Sequence, residues 1–282
     1  MVEIVKAGLY SSIQDLGRYG HRHLGVPVSG VMDSISAKRA NLILGNAENN
    51  AVLEMTLVGP TLHFHTDTLI AFAGADFEVF LNNESVDLSR PTSIHSDDVL
   101  IFKSSTSGSR GYLAVRGGFQ TKDVLGSRSF YAPITAFGVL KKGDRLPVLN
   151  YGFQASDKYS KVKRADKFWT NPELEVYKGP EFDRLSEDLQ RKIIDSEFKV
   201  SNLNNRMAYR LEPLIPNDLV SIITGPLLPG TVQLTPKGQL IVLMRDAQTT
   251  GGYPRVLQLT ELAIDQLAQK TTDDTVSFKL KE

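Results

Sequence analysis

The stretch "TLIAFAGADFEVFLNN", residues 68–83, holds two runs rich in β-branched and aromatic residues, interrupted at Gly74 and ended by Asn82-Asn83. Such runs are typical of β-strands, and the paired asparagines favour a hairpin turn. Similar runs recur at 98–103, 111–118, 146–150, 218–225, 239–246, 253–260 and 274–281. Short strands at this spacing, separated by turn residues, predict antiparallel sheets that close into barrels or sandwiches.

Helices are few in the sequence pattern. Amphipathic segments at 33–46, 181–195 and 259–270 each predict a short helix, the first capped by Asp33 or Ser34. Between the β-rich halves lies a polar segment that is typical of a solvated linker. Its basic residues are Lys158, Lys161, Lys163, Arg164 and Lys167. We predict a mainly β protein with an N-terminal lobe at 1–150, a linker at 151–168 and a C-terminal lobe at 169–282.

Composition excludes several classes of function. The 282 residues carry 32 Lys+Arg and 32 Asp+Glu, so the net charge is zero, which disfavours nucleic acid and anionic membranes as partners. The absence of cysteine excludes disulfides, thiolate-ligated metals and a cysteine nucleophile. The N-terminus lacks a signal-peptide pattern, and no apolar run is long enough to cross a bilayer. We expect a cytoplasmic protein.

Common catalytic and metal motifs are absent from the sequence. It contains no P-loop, no G-x-S-x-G elbow, no H-E-x-x-H and no EF-hand loop. Two H-x-H pairs, His21/His23 and His63/His65, would each place two imidazoles on one face of a strand, as a divalent metal requires. A third ligand at fixed spacing is missing, so "TLHFHTDT" favours a half-exposed strand. We expect no metal in this chain.

The segment "SSIQDLGRYGHRHLGVPVSGVMD", residues 11–33, is divided by glycines and cannot be a helix or a long strand. Long structured loops are often functional. Its candidate side chains are Gln14, Asp15, Arg18, Ser29 and Asp33. The alternative is a glycine-rich connection that an Asp15–Arg18 pair simply holds in place, and the sequence leaves both readings open.

Two further segments carry polar side chains suited to a small ligand. In "NRMAYRLE", 205–212, Arg206 and Arg210 could clamp a carboxylate or phosphate, unless Glu212 or another acid neutralises one of them. In "RDAQTTGGYPRV", 245–256, Asp246 is a candidate base or orienting carboxylate. Its neighbours offer an amide, hydroxyls and glycine N–H groups that could face an oxyanion. A tight hydrogen-bonded turn would explain part of the same pattern.

The chain resembles a known family through several long motifs in order. These include "SIQDLGRYGHRHLGVPVSGVMDSISAKRANLILGN", "LAVRGGFQTKDVLGSRS", "NRMAYRLE" and "MRDAQTTGGYPRV". They are similar to the biotin-dependent carboxyltransferase, or allophanate hydrolase subunit 2, family and within it to the 5-oxoprolinase group. The resemblance implies two cyclophilin-like β-barrel lobes. It also implies a heteromeric complex with two partners, an A subunit plus a KipI-like B subunit.

The function implied by the resemblance is ATP-dependent opening of 5-oxoproline to L-glutamate, by a chain that is inactive alone. ATP would serve the complex without a P-loop here. Implied alternatives are regulatory antagonism of a KipI-like kinase inhibitor, or carboxyl transfer to a small amide such as urea. Candidate catalytic residues are Asp246, Thr249 and Thr250. Candidate substrate-binding residues are Arg206, Arg210, Gln248, Gln14, Asp15, Ser29, Asp33 and Tyr253.

Overall fold

A computed structural model of the chain describes residues 1–132, 134–151 and 167–281. The chain divides into two compact units: Met1–Tyr19 with Ser29–Asp166, described as far as Tyr151, and Gly20–Val28 with Lys167–Glu282. The change from first to second unit after residue 166 falls within the predicted linker. Residues 20–28 group with the second unit, whereas the sequence placed them in the N-terminal lobe. Four of the linker's basic residues lie outside the described residues: Lys158, Lys161, Lys163 and Arg164.

The first unit is built on one sheet. Its strands are β1 Val2–Lys6, β2 Tyr10–Gln14, β3 Val52–Thr56, β4 Thr61–Phe64, β5 Thr68–Leu81, β6 Glu84–Ser85, β7 Thr92–Ile94, β8 Val99–Val115 and β9 Arg145–Leu146, with helix α1 at Ser34–Ile43. The sheet runs β2-β3-β8-β4-β1-β9, and β5 pairs with β6, β7 and β8. Asn82 and Asn83 both have positive φ at the β5–β6 turn, which confirms the predicted hairpin.

Two layers of apolar side chains lie against this sheet. The larger core cluster includes Ile13, Phe64 and Leu113, all fully buried. In the smaller cluster, Ala40 and Leu44 of the α1 region belong with Tyr112 of β8. Asp33 begins the helix as predicted, because its carboxylate accepts a hydrogen bond from the Ser36 N–H at 2.9 Å. The helix therefore fixes the end of the glycine-rich loop against the sheet.

The second unit closes its strands into a barrel. Its strands are β10 Glu173–Lys178, β11 Glu197–Asn204, β12 Ala208–Glu212, β13 Gly225–Pro226, β14 Thr231–Leu234, β15 Leu240–Leu243, β16 Thr250–Gly251, β17 Arg255–Leu259 and β18 Thr275–Leu280. Its helices are α2 Glu187–Asp195 and α3 Glu261–Ala268; short 3-10 turns occupy Arg22–Leu24, Phe168–Thr170 and Phe182–Arg184. The barrel order is β10-β17-β14-β15-β12-β11-β18, while β13 and β16 form a separate pair.

The predicted mainly β class with a few short helices is confirmed, with a closed seven-stranded barrel in one unit and a curled half-barrel sheet in the other. The described helices all lack the length and apolar character needed to cross a bilayer. The predicted strand at 218–225 is wrong. Only its last residue, Gly225, is in a strand, and Val220 and Ile223 are 70% and 97% exposed. The apolar residues of this segment predicted a buried strand. Whether they are buried depends on which other parts of the protein pack against them, and the local sequence does not show that.

Candidate functional site

Asp15 is the centre of a buried polar cluster in the first unit. Its carboxylate accepts hydrogen bonds from the Gly17 N–H at 2.8 Å, the Arg128 N–H at 2.6 Å, and the hydroxyls of Ser127 and Ser129, each at 2.7 Å. These donors occupy both carboxylate oxygens, which leaves Asp15 little capacity for a ligand. Asp15 is therefore best placed to hold the glycine-rich loop against residues 127–129.

Gln14 and Arg18 bind the main chain of the same neighbouring segment. The Gln14 amide group donates to the Phe130 carbonyl at 3.2 Å, and the Arg18 guanidinium donates to the carbonyls of Val124 and Ser129 at 3.2 and 2.8 Å. We call residues 14–18, 29–33 and 124–130 the loop site. Sequence reasoning missed the contribution of 124–130. Its one local signal was the pair of serines flanking Arg128.

The loop site retains polar atoms that the described residues leave unsatisfied. Gln14 Oε1 and Ser29 Oγ are buried and have no hydrogen-bond partner among them. Ser29 also has a positive φ of 55°, which is uncommon for serine. Gly30 follows with φ 85°, and a Cβ there would come within 2.8 Å of the Gly17 nitrogen. Because unsatisfied buried polar atoms are costly, Gln14 and Ser29 are the strongest candidates here for ligand contact.

Asp33, Glu54 and Tyr112 form a buried cluster of titratable side chains at the end of the glycine-rich loop. The Asp33 N–H donates to the Tyr112 hydroxyl at 2.8 Å, and the Glu54 carboxylate accepts from the Met32 N–H at 2.7 Å. Burial, followed by the charges of Glu54 and Asp33, raises the pKa of Tyr112 well above its usual value. Asp33 thus caps α1 and joins this cluster, so its predicted substrate role has a structural alternative.

Tyr112→Phe is expected to lower the free energy of unfolding by about 1–3 kcal/mol at neutral pH, because the buried Asp33 N–H loses its acceptor. The unfolded pKa of tyrosine is about 10. Since the folded pKa is raised, the stability contributed by neutral Tyr112 is full below pH ~10 and is lost as pH rises toward the folded pKa. Urea midpoints measured across pH 7–11 should show the gap between wild type and variant narrowing above pH ~10. Tyr19→Phe, at an exposed tyrosine, should leave the midpoint nearly unchanged.

A cavity of about 290 Å³ adjoins the loop site within the first unit. The described residues lining it include Val124 and Phe130, whose carbonyls bind Arg18 and Gln14, together with Phe137, Leu140 and Leu146. The rings of Phe130 and Phe137 stack with centroids 5.6 Å apart. The cavity is at the lower end of the size range for small-ligand pockets and is mostly apolar in its lining.

In the second unit, Arg206 and Asp246 form a buried ion pair. Arg206 Nε lies 2.8 Å from Asp246 Oδ2, and Nη2 lies 3.1 Å from Oδ1, which is a bidentate arrangement. The Asp246 N–H also donates to the Arg206 carbonyl at 2.9 Å. Arg210 is exposed on β12, so the structure does not bring the two arginines together in the predicted clamp. The sequence left open that Glu212 or another acid neutralises one of the two arginines. In the structure Asp246 is the acid that pairs with Arg206.

The segment following Asp246 is held by its main chain, while polar side chains reach the surface. The Leu227 N–H donates to the Thr249 carbonyl at 2.9 Å, and Thr250 and Gly251 form β16 opposite β13. Gln248, Thr250 and Tyr253 are exposed, and Thr249 is half-buried. The two alternatives of a tight turn and a ligand-binding segment are therefore compatible: the backbone makes the turn and leaves the side chains available.

Residues 24–280 match the family described as carboxyltransferase domain, subdomain A and B. The chain belongs to this carboxyltransferase family. It is 36% identical to the C subunit of 5-oxoprolinase from Escherichia coli (strain K12), over 99% of this chain and 90% of that protein. It is 31% identical to the C subunit of 5-oxoprolinase from Haemophilus influenzae, over 99% and 91%.

Other relatives contain the carboxyltransferase fold within longer chains. The urea amidolyase of Lachancea kluyveri is 40% identical over 51% of this chain and 8% of its own length. The crystal structure of the K. lactis urea amidolyase superposes with a TM-score of 0.87 at 29% identity, covering 98% of this chain and 18% of that one. The TTHA0988 structure gives 0.87 at 27%, covering 99% and 55%, so this chain spans about half of that solved relative.

Proposed function

We propose that the chain is the C subunit of a heteromeric, ATP-dependent 5-oxoprolinase that opens 5-oxoproline to L-glutamate together with its A and B subunits. The observation that carries the proposal is the nearly complete, two-way match to relatives of that name, at 99% of this chain and 90% of the E. coli protein. The urea amidolyase match, by contrast, takes in 8% of that relative. ATP binding is assigned to the other subunits, since this sequence has no P-loop.

Within the second unit, the proposal gives different roles to the two arginines. Arg206 keeps the carboxylate of Asp246 in one orientation, from which it can accept a proton from water or from a ring N–H. Arg210 is exposed and suits the carboxylate of 5-oxoproline. The hydroxyls of Thr249 and Thr250 then serve the oxyanion that forms when the ring carbonyl is attacked.

An exposed apolar loop supports assembly with other subunits. Leu214, Val220, Ile223 and Leu228 of the second unit are 49%, 70%, 97% and 54% exposed. Clustered exposed apolar residues in one segment are typical of protein–protein contact surfaces. The same region includes β13, which pairs with β16 next to Asp246, so a partner bound here would lie close to the proposed catalytic side chains.

The test is glutamate release from 5-oxoproline and ATP by this chain co-purified with its A and B subunits. Thr250→Val is expected to leave the complex assembled and to lower kcat by about 100-fold, the effect of removing one oxyanion donor. Arg210→Gln should raise KM for 5-oxoproline. Lys237→Gln, at an exposed lysine in the β14–β15 turn, is the matched control and should change neither constant. An assembled complex that releases no glutamate would refute the proposal.

A second candidate is carboxyl transfer from carboxybiotin to a small amide. It is favoured by the K. lactis urea carboxylase structure, which matches 98% of this chain with a TM-score of 0.87. The same preparation, supplied with carboxybiotin and urea, distinguishes the two reactions. Tight assembly of the subunits with neither product would instead support the regulatory role as an antagonist of a KipI-like inhibitor.

A further inference from the structure

His63 and His65 lie on one face of the first unit's sheet. His63 is in β4 and His65 follows it directly, so the two side chains are two residues apart on an extended backbone and point the same way. Their ring centroids are 4.3 Å apart. Both side chains are about one-third exposed, at 30% and 35%. Two imidazoles are therefore held close together at a surface that solutes can reach.

A third ligand comes from the turn before β8. The Asp97 N–H donates to the Phe64 carbonyl at 2.7 Å, and the Phe64 N–H donates to the Asp98 carbonyl at 2.9 Å, so the turn is fixed to β4 between the two histidines. Asp97 Oδ1 lies 3.5 Å from His63 Nε2. One potential ligand atom from each of His63, His65 and Asp97 falls within 4.8 Å of the other two.

Glu3 supplies a second carboxylate on the other side of the pair. His65 Nε2 lies 3.2 Å from Glu3 Oε2, and Glu3 is opposite His63 in the β1–β4 ladder. In both histidines the same nitrogen, Nε2, thus faces a carboxylate. Arg145 is the cation that contacts this group within the described part of the chain; its Nη2 also lies 3.2 Å from Glu3 Oε2, and its side chain is 64% exposed.

We propose that His63, His65 and Asp97 bind a divalent transition-metal ion such as Zn²⁺ or Co²⁺, with Glu3 or water completing the coordination. Two imidazole nitrogens and a carboxylate oxygen are a set that these ions prefer. Zinc–ligand distances of about 2.0–2.1 Å place neighbouring ligand atoms about 3.3 Å apart in a tetrahedron. The His63–Asp97 separation of 3.5 Å is already close to that, and the exposed side chains need only small rotations.

The bound ion would link β4 to the turn before β8. This site lies in the first unit, apart from Asp246 and the threonines assigned to the second, and does not depend on the proposed oxoprolinase activity. Sequence reasoning could not complete the set, because Asp97 is more than thirty residues from His65 and no fixed spacing relates them.

Binding can be measured on the full chain alone, after chelation and removal of the chelator. Wild type is expected to bind one equivalent of Zn²⁺ by calorimetry, and Co²⁺ should give the visible absorption of a nitrogen- and oxygen-ligated ion. His63→Asn should weaken binding by at least about 10-fold. Asp97→Asn should also weaken it, and asparagine tolerates the positive φ of 73° at that position. His23→Asn, in the other H-x-H pair, is the matched control and should bind like wild type.

In the presence of chelator the site is empty in wild type and in the three variants, so the melting temperature measured there is the baseline for each protein. Added Zn²⁺ should then raise the melting temperature of wild type and His23→Asn more than that of the other two. The proposal is overturned if wild type shows no saturable binding, or if His63→Asn and Asp97→Asn both bind as tightly as wild type. Asp97 is exposed, so its variant carries the test even if His63→Asn fails to fold.

Discussion

Asp15→Ala is expected to lower the free energy of unfolding by about 3–5 kcal/mol. Asp15 is 4% exposed, and its carboxylate is the common acceptor for two backbone N–H groups and two serine hydroxyls. Alanine leaves these donors without their partner in a site that bulk water does not reach, and it releases the glycine-rich loop from residues 127–129. Denaturation by urea, followed by circular dichroism, measures the change.

Asp123→Ala is the matched control for this experiment. Asp123 is exposed, and its carboxylate accepts a hydrogen bond from the Gly126 N–H at 2.9 Å. Its loss should cost less than about 1 kcal/mol. Equal midpoints for the two variants would mean that the Asp15 network contributes nothing to stability. That result would again favour the prediction that Asp15 contacts the substrate directly.

Asp246→Ala is expected to cost a similar amount, about 3–5 kcal/mol, because it removes the buried carboxylate that binds the Arg206 guanidinium in a bidentate ion pair. The double variant Arg206→Met, Asp246→Ala should be more stable than the sum of the two single changes by about 1–3 kcal/mol. Trp169, the single tryptophan, is buried in the second unit, and its fluorescence reports unfolding there. Asp188→Ala, which breaks the exposed pair with Arg191, should cost no more than about 0.5 kcal/mol.

This cycle also separates folding from catalysis at Asp246. If the pair only holds the barrel together, the double variant should recover both stability and glutamate release in the assembled complex. If Asp246 takes part in the reaction, stability should recover while turnover stays low. A double variant that is no more stable than the additive sum would show that the two side chains do not interact energetically.

Local rules were enough for parts of the fold. The hairpin at Asn82-Asn83 needs positive φ at both positions, which asparagine tolerates, and the helix start at Asp33 needs a side-chain acceptor at the N-cap. Both are decided within a few residues. The strand predicted at 218–225 is wrong for the opposite reason. Val220 and Ile223 have the apolar character of core residues, but the neighbouring sequence does not show whether another surface covers them.

The sequence predicted which residues belong to the candidate sites, but it did not predict which of them contact one another. Asp15 meets Ser129 across 114 positions, and Arg206 meets Asp246 across 40, so both contacts are set by strand order. The choice between a substrate-binding Arg206 and an Arg206 paired with a neighbouring acid therefore depended on the strand order. Ser29, by contrast, could be singled out from its place between glycines, and the structure leaves its hydroxyl buried without a partner among the described residues.

Residues 20–28 group with the second unit although both flanking segments belong to the first. The second unit is therefore assembled from two separate pieces of chain, residues 20–28 and the residues after 166, with a long segment of the first unit between them in the sequence. Residues 20–28 can therefore make their contacts within the second unit only after more than a hundred further residues have been synthesised. A gene split at the predicted linker would deliver a C-terminal fragment lacking that piece.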